Sequence, residues 1–110
     1  MAQTRVSTQL DETGSPLRCQ LVVIDGPDAG RAVALDGPKT IGTASTVELT
    51  LTDDRVSSKH LRVTPAETRF LVKDLESTNG TYFEGSKFQE LELSPGASFK
   101  LGRSTLRIEP

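Results

Sequence analysis

Apolar residues recur at every second position along most of this chain, which is the spacing of a strand that buries one face. Turn-forming residues such as Asp25-Gly26-Pro27 and Asn79-Gly80 separate these short segments. The alternating apolar positions are Leu21 and Val23, Val33 and Leu35, Val47, Leu49 and Leu51, Leu61 and Val63, Phe70 and Val72, Phe99 and Leu101, Leu106 and Ile108. The pattern predicts an all-β sandwich of about ten or eleven short strands.

The alternation begins near Arg18 and is absent from residues 1–17. That first segment mixes polar residues with Gly14 and Pro16, so we expect a flexible N-terminal tail there. Residues 18–110 are expected to form one domain, because a chain of 110 residues has room for a single hydrophobic core.

Composition indicates the class of protein. Hydrophobic residues make up 35% and charged residues 25% of the chain, as in globular domains. The longest apolar run, residues 21–24, is far shorter than a bilayer span, and the N-terminus lacks the pattern of a signal peptide. The single Cys19 can form no internal disulfide and is expected to be a small strand residue in a reducing compartment. We therefore expect a cytoplasmic protein that does not associate with membranes.

Charge and ligand-type residues argue against two further classes. The chain has 13 basic and 15 acidic residues, a net charge of −2, dispersed along the sequence, so direct nucleic-acid binding is not expected. One histidine, one cysteine and scattered carboxylates give no metal-ligand spacing, and no cofactor is expected. Asp53 and Asp54 are neighbours that should point to opposite sides of an extended chain, and we expect both to be solvated turn residues.

Ser57 stands three positions before His60, the only histidine, so the pair has to be considered as a nucleophile and its base. Such catalysis requires the imidazole to reach the serine oxygen and a third group to orient the ring. If His60 begins a strand while Ser57 stays in the preceding loop, closeness in sequence does not bring the two groups together. We therefore expect a protein that is not an enzyme.

Three predicted loops are rich in small polar residues. They are IGTAST at 41–46, RVSSKH at 55–60 and ESTNGT at 76–81. Loops of a sandwich cluster at its two ends, so these three can converge on one site. Hydroxyl, amide and backbone N–H donors suit an oxyanion, which makes an anion-binding loop cluster the leading hypothesis.

The order and spacing of three motifs in these loops resemble the forkhead-associated (FHA) domain, whose motifs are Gly-Arg, Ser-x-x-His and Asn-Gly-Thr. The corresponding segments are IG at 41–42, VSSKH at 56–60 and DLESTNGTYFEG at 74–85. The resemblance runs from about Leu21 to Ile108. It implies an eleven-stranded FHA-type (SMAD/FHA) β-sandwich and an activity of binding phosphothreonine-containing proteins or peptides through loops at one end.

The resemblance also implies roles for single residues. Ser57 matches the serine that hydrogen-bonds the phosphate. Thr78 and Asn79 match residues that contact the phosphothreonine region and the peptide backbone. His60 matches a histidine that braces the loop from inside.

Three further residues have a less specific expectation. Gly42 is expected to end a strand, and Gly80 to follow Asn79 in a tight turn, because glycine and asparagine tolerate positive φ. Lys59 is either a solvated side chain or an additional positive charge at the site.

Two positions depart from the family pattern. The phosphate-binding arginine of the family follows the motif glycine, where this chain has Thr43, and the arginine or asparagine that often follows the motif serine is here Ser58. Arginine makes paired charge-assisted hydrogen bonds that a hydroxyl cannot make, so we expect weakened or altered phosphate recognition. The nearby cations that could compensate are Lys39, Arg55, Lys59 and Arg103.

An alternative function stays open, namely phosphate-independent protein binding through the same loops or a sheet face. The sequence is also similar to FHA domains at the N-terminus of bacterial enhancer-binding transcription activators. We therefore expect the regulatory domain of such a regulator, of which this chain, ending at Pro110 after its last predicted strand, would be a part. In isolation the domain is expected to be a monomer.

Overall fold

The computed structural model describes residues 18–110, and the predicted tail, residues 1–17, lies outside the described residues. Eleven strands and no helix are found in the described residues, which confirms the predicted all-β class and strand number. No helix there is long and apolar enough to cross a membrane. The strands are β1 (Gln20–Asp25), β2 (Ala32–Ala34), β3 (Lys39–Gly42), β4 (Leu49–Thr50), β5 (Leu61–Pro65), β6 (Phe70–Asp74), β7 (Thr81–Phe83), β8 (Ser86–Phe88), β9 (Glu90–Leu93), β10 (Ser98–Leu101) and β11 (Ser104–Glu109).

The strands form two sheets. The six-stranded sheet has the order β2-β1-β11-β10-β7-β8, and the five-stranded sheet has the order β4-β3-β5-β6-β9. The pairing of β3 with β4 is parallel, whereas the other pairs with an assigned register are antiparallel. Turns directly connect the antiparallel neighbours β1–β2, β5–β6, β7–β8 and β10–β11.

The alternating apolar residues form the core between the sheets. In β1, for example, Leu21 and Val23 are buried while Val22 between them is partly exposed. Phe70 of the five-stranded sheet and Phe99 of the six-stranded sheet are the largest fully buried side chains. The buried apolar side chains are Cys19, Leu21, Val23, Leu35, Ile41, Leu49, Leu51, Val56, Leu61, Val63, Phe70, Val72, Leu93, Phe99, Leu101, Leu106 and Ile108.

The alternation predicts longer strands than the structure contains. Val47 belongs to a turn, and only Leu49 and Thr50 form β4, although Leu49 and Leu51 are both buried as the pattern predicts. Cys19 lies one residue before β1, where its carbonyl accepts a hydrogen bond from the Leu35 N–H at 2.9 Å. Burial of an apolar side chain therefore extends beyond the paired part of the strand.

Strand register brings the polar loops to one end of the sandwich. Ile41, near the end of β3, pairs with Leu61 at the start of β5, and Leu61 pairs with Asp74 at the end of β6. In the other sheet Leu101, at the end of β10, pairs with Thr81 at the start of β7. The chain therefore leaves β3, enters β5, leaves β6 and turns after β10 at the same end.

Candidate functional site

Three connections form this end of the sandwich. They are the β3–β4 loop (residues 43–48), the β4–β5 loop (51–60) and the β6–β7 loop (75–80). They contain the segments in which the sequence predicts an anion site.

The β3–β4 and β4–β5 loops are joined through their backbones. The N–H groups of Thr43 and Ala44 donate to the carbonyl oxygens of Ser57 and Ser58, both at 3.1 Å. Gly42 permits this approach, because a Cβ atom built there would lie 2.0 Å from the Ser58 oxygen. Gly42 ends β3. Glycine is the residue type that fits under the β4–β5 loop at this position, because it has no Cβ.

The β4–β5 and β6–β7 loops are joined by two side chains. The Ser57 hydroxyl oxygen accepts a hydrogen bond from the Thr78 N–H at 3.0 Å. The side-chain amide of Asn79 donates to the Arg55 carbonyl at 2.9 Å. Because a hydroxyl has one donor and two acceptor sites, Ser57 keeps its own hydrogen for a further acceptor.

His60 lies fully buried beneath this junction, immediately before β5. Its Nδ1 accepts a hydrogen bond from the Ser57 backbone N–H at 3.0 Å, so the ring proton is on Nε2, which donates to the Gly80 carbonyl at 2.9 Å. The ring thus faces the backbone of Ser57, whereas the Ser57 hydroxyl faces Thr78. The two residues do not have the geometry of a nucleophile and its base.

Asp74 is the buried anchor of the β6–β7 loop, which the sequence reasoning missed. Its carboxylate accepts hydrogen bonds from the Ser77 N–H at 2.9 Å, the Ser77 hydroxyl at 2.6 Å and the Thr81 hydroxyl at 2.7 Å. Burial acts to raise the pKa of Asp74, but these hydrogen bonds outweigh it, and the pKa lies below its ordinary value. The Ser77 hydroxyl in turn accepts a hydrogen bond from the Gly80 N–H at 2.9 Å, which closes the turn that contains Asn79.

Asp53 is the equivalent anchor of the β4–β5 loop, and the expectation that it is a solvated turn residue is wrong. Its side chain is buried and accepts hydrogen bonds from the Arg55 N–H at 3.0 Å, the Arg103 N–H at 2.7 Å and the Ser104 hydroxyl at 2.7 Å. Burial acts to raise the pKa of Asp53, but the Ser104 hydroxyl, the two N–H groups and the Arg103 charge together hold it below its ordinary value. Asp54 is exposed, as expected, and pairs with the Arg103 guanidinium.

The signal for both anchors is present in the sequence, but it is weak. An aspartate at the end of a strand that is followed within a few residues by serine or threonine is typical of a turn in which the carboxylate bonds the backbone. Asp74 and Ser77 have this spacing. For Asp53 the decisive partner, Ser104, is 51 positions away and cannot be found from local spacing.

The predicted site residues have different exposures. Ser58, Lys59, Thr78 and Asn79 are exposed, whereas Thr43 is partly buried, as is Ser57. The loops therefore present hydroxyl and amide groups at the surface above buried hydrogen-bonding groups. No cluster of histidine, cysteine and carboxylate side chains that could hold a metal ion occurs among residues 18–110.

Comparison with known proteins assigns the family. Over residues 22–110 the sequence matches the family model described as the inner membrane component of T3SS, cytoplasmic domain. FhaB, an FHA domain-containing protein of Mycolicibacterium smegmatis, is 39% identical over 93 residues, which are 83% of this chain and 60% of that protein. The chain spans about three fifths of the length of the first curated relatives it matches.

Solved structures agree with the sequence matches. The FhaA FHA domain, complexed with the intracellular domain of Rv3910, is 33% identical with a TM-score of 0.74, covering 83% of this chain and 99% of that chain. A structure from work on phosphothreonine-dependent FHA domain interactions is 32% identical with a TM-score of 0.76, covering 84% and 96% of the two chains. The chain belongs to the family of that T3SS cytoplasmic-domain model and to the forkhead-associated (FHA) domains. The resemblance to the FHA family found in the sequence is therefore confirmed.

The four cations that could compensate for the missing arginine differ in their position relative to the three loops of this FHA domain and in their ion pairs. Lys39 is at the start of β3, the opposite end from Gly42, and pairs with Asp36 at 2.9 Å. Arg103 is at the correct end but pairs with Asp54. The remaining two, Arg55 and Lys59, are exposed in the β4–β5 loop and form no salt bridge among residues 18–110.

Proposed function

We propose that this FHA domain is a non-enzymatic adaptor that binds phosphothreonine peptides at the three loops, with weaker phosphate recognition than an FHA domain that has the arginine. The observation that carries the proposal is the junction between Ser57 and Thr78. Its hydrogen bond fixes the Ser57 hydroxyl between two loops and leaves the hydroxyl hydrogen for an external acceptor. A phosphate oxygen is an acceptor of the appropriate kind.

The remaining donors of the proposed site surround this junction. Thr43 and Ser58 contribute hydroxyls, and Thr78 contributes one more beside Ser57. The side-chain amide of Asn79 is engaged by the Arg55 carbonyl, so its oxygen is available to a peptide N–H. Gly42, His60 and Gly80 support the site from below.

Thr43 is the reason to propose weakened recognition. A phosphothreonine carries close to two negative charges, and a hydrogen bond to a charged group contributes about 1.5–3 kcal/mol. Without the arginine, affinity should be roughly ten- to a hundredfold lower. Lys59 and Arg55, which have no ion pair among the described residues, are the cations that could offset part of this loss.

Support for the ligand class comes from relatives. The FhaA FHA domain was solved with the intracellular domain of Rv3910, and another similar FHA domain comes from work on phosphothreonine-dependent interactions. We propose a partner of the same chemical class for this chain, a protein that carries phosphothreonine, rather than a nucleic acid or a membrane. We further propose that residues 18–110 act as a monomeric domain in the cytoplasm, consistent with the single unpaired Cys19.

A regulatory role in a bacterial transcription regulator is a further part of this proposal. Its support is the sequence similarity to FHA domains that precede enhancer-binding activators. Measuring whether the full-length gene product contains a DNA-binding domain, and whether its transcriptional output depends on the Ser57 loop, would test it.

The second candidate function is phosphate-independent protein binding. The observation that favours it is the charge of the site: Thr43 is neutral, and Lys39 and Arg103 are each engaged by an aspartate. A calorimetric titration with matched phosphorylated and unphosphorylated threonine peptides separates the two functions. Binding that requires the phosphate and weakens between low and high salt supports phosphothreonine recognition. Equal binding of both peptides would favour the second function.

A further inference from the structure

Glu76 is an exposed residue of the β6–β7 loop that the site described above does not use. Its φ is 58°, in the left-handed region that a residue with a side chain seldom adopts. The loop imposes this conformation, because Asp74 binds Ser77 on one side, while the Leu75 N–H donates to the His60 carbonyl at 2.8 Å on the other. Glycine adopts this φ more easily, so the chain carries a glutamate at a position whose backbone conformation disfavours a side chain.

The chain contains a natural comparison for this residue. Glu84 has a similar φ of 51°, but it occupies the two-residue turn between β7 and β8 together with Gly85, whose φ is 83°. Two-residue hairpin turns of type I′ have positive φ at both positions, as seen here, and the turn accounts for the conformation of Glu84. Glu84 is also at the end of β7 away from Thr81 and the binding loops.

Glu76 lies next to the candidate binding site. It is two residues before Thr78, so the two Cα atoms are at most about 7–8 Å apart. The pairing of Leu61 with Asp74 and the hydrogen bond between Leu75 and His60 continue the β5–β6 register. Lys59 precedes His60 in the β4–β5 loop and Glu76 follows Leu75 in the β6–β7 loop, so the two residues flank this hydrogen bond on neighbouring loops.

This edge of the site therefore has one cation and one anion on facing loops. Neither Lys59 nor Glu76 takes part in a salt bridge among residues 18–110. Since Thr43 supplies no charge, a carboxylate at this edge repels an anionic ligand more than it would beside an arginine. A ligand that carries a positive charge beside its phosphate removes that repulsion and pairs with both residues.

We propose that Glu76 is a specificity-determining residue: the peptide bound by the three loops carries lysine or arginine near its threonine, and this basic residue pairs with Glu76 while the phosphate lies toward Lys59. Glu76 also disfavours peptides with acidic flanks, because a repulsive element against the wrong ligand adds to specificity. The site assignment rests on the proposed function, but the charge preference applies to phosphorylated and unphosphorylated ligands alike.

Two oriented peptide libraries test this with the full 110-residue chain, one with a central phosphothreonine and one with threonine, each with degenerate flanks. The parent should enrich lysine and arginine about threefold at one or more flanking positions, the effect of an exposed ion pair. Glu76→Gln should abolish this preference, and Glu76→Lys should replace it with a preference for aspartate and glutamate. Glu84→Gln, the matched control, should leave it unchanged. Thermal midpoints within a few degrees of the parent would show that all variants are folded.

The outcomes separate this inference from the proposed function. If the phosphothreonine library is enriched without a basic preference, or if Glu84→Gln changes the preference as much as Glu76→Gln does, the role of Glu76 is wrong while phosphate binding stands. If only the unphosphorylated library is enriched, with a basic preference that Glu76→Lys inverts, the role of Glu76 is supported and phosphate recognition is wrong. If neither library is enriched, both are wrong.

Discussion

The buried part and the surface part of the candidate binding end are held in different ways. The buried part, here called the framework, consists of Asp53, His60 and Asp74 with their hydrogen bonds to the loop backbones. The surface part, here called the rim, consists of Thr43, Ser58 and Lys59, whose side chains are exposed or partly exposed. The loop paths depend on the framework, since its groups bond main-chain atoms of the β4–β5 loop, the β6–β7 loop and the β10–β11 turn.

This difference explains how the motif arginine can be absent from an otherwise intact site. The Thr43 N–H donates to the Ser57 carbonyl whatever side chain residue 43 carries. A rim residue can therefore change its charge while the loops keep their positions. Framework residues have no such freedom, because an unpaired buried polar group costs about 1–3 kcal/mol.

The largest expected effect comes from Gly42, which lies under the β4–β5 loop where there is no space for a side chain. Gly42→Ala should destabilise the domain by about 3 kcal/mol, because its Cβ would lie 2.0 Å from the Ser58 carbonyl oxygen. Chemical denaturation would measure this loss. Gly37→Ala is the matched control, since a Cβ at that position meets no atom within 4 Å. Equal unfolding free energies for the two variants would contradict the close packing of these loops.

His60→Ala should cost about 2–3 kcal/mol of unfolding free energy. The Ser57 N–H and the Gly80 carbonyl would both lose their partner, and a cavity would replace a fully buried ring. Affinity measured well below the unfolding midpoint should fall less than stability does. An unchanged midpoint together with abolished binding would show that His60 contacts the ligand and does not act from inside.

Acid should weaken the framework through Asp53 and Asp74. Both folded pKa values lie below the ordinary value, so the stabilisation is complete above about pH 4 and is lost as the pH falls through the folded pKa values. Asp74→Asn should cost about 2 kcal/mol at neutral pH and flatten the decline in stability below pH 4. Denaturation midpoints between pH 2 and 7 would measure both. A parent curve that stays flat in acid would rule out the charged network.

The framework is also the part that the sequence predicts least well. The period-two alternation predicts the strands and the apolar core, because successive side chains of a strand face the interior and the solvent in turn. The motifs predict that the Ser57 and Thr78 segments meet, and the structure joins them by a hydrogen bond. Local spacing predicts a solvated Asp53, because the burial of this residue depends on Ser104, which a local pattern does not reveal.

At the rim, the expected effects fall on binding rather than on stability. Thr43→Arg should raise affinity for phosphothreonine peptides about tenfold, which is about 1.4 kcal/mol, since the guanidinium adds a charge-assisted bond at a site whose other donors are in place. Unfolding free energy should change by less than about 0.5 kcal/mol. Ser45→Arg, in the same loop, is the control for a nonspecific gain from added charge. A titration in which both arginine variants bind like the parent, with no response to phosphate, would favour the phosphate-independent function.

The smallest expected effect is that of Lys59→Ala. Lys59 is exposed and lies in the loop that contains Ser57, so its contribution to phosphate binding is that of a solvated charge, about 0.2–1 kcal/mol or up to fivefold in affinity. Raising the ionic strength should remove most of this difference, because exposed charges are screened. Lys73→Ala is the matched control, since Lys73 is an exposed lysine of β6 that pairs across the sheet with Glu90. If the two alanine variants lose affinity equally, the attraction is a property of the whole surface, and the cation that replaces the motif arginine has to be sought at Arg55 instead.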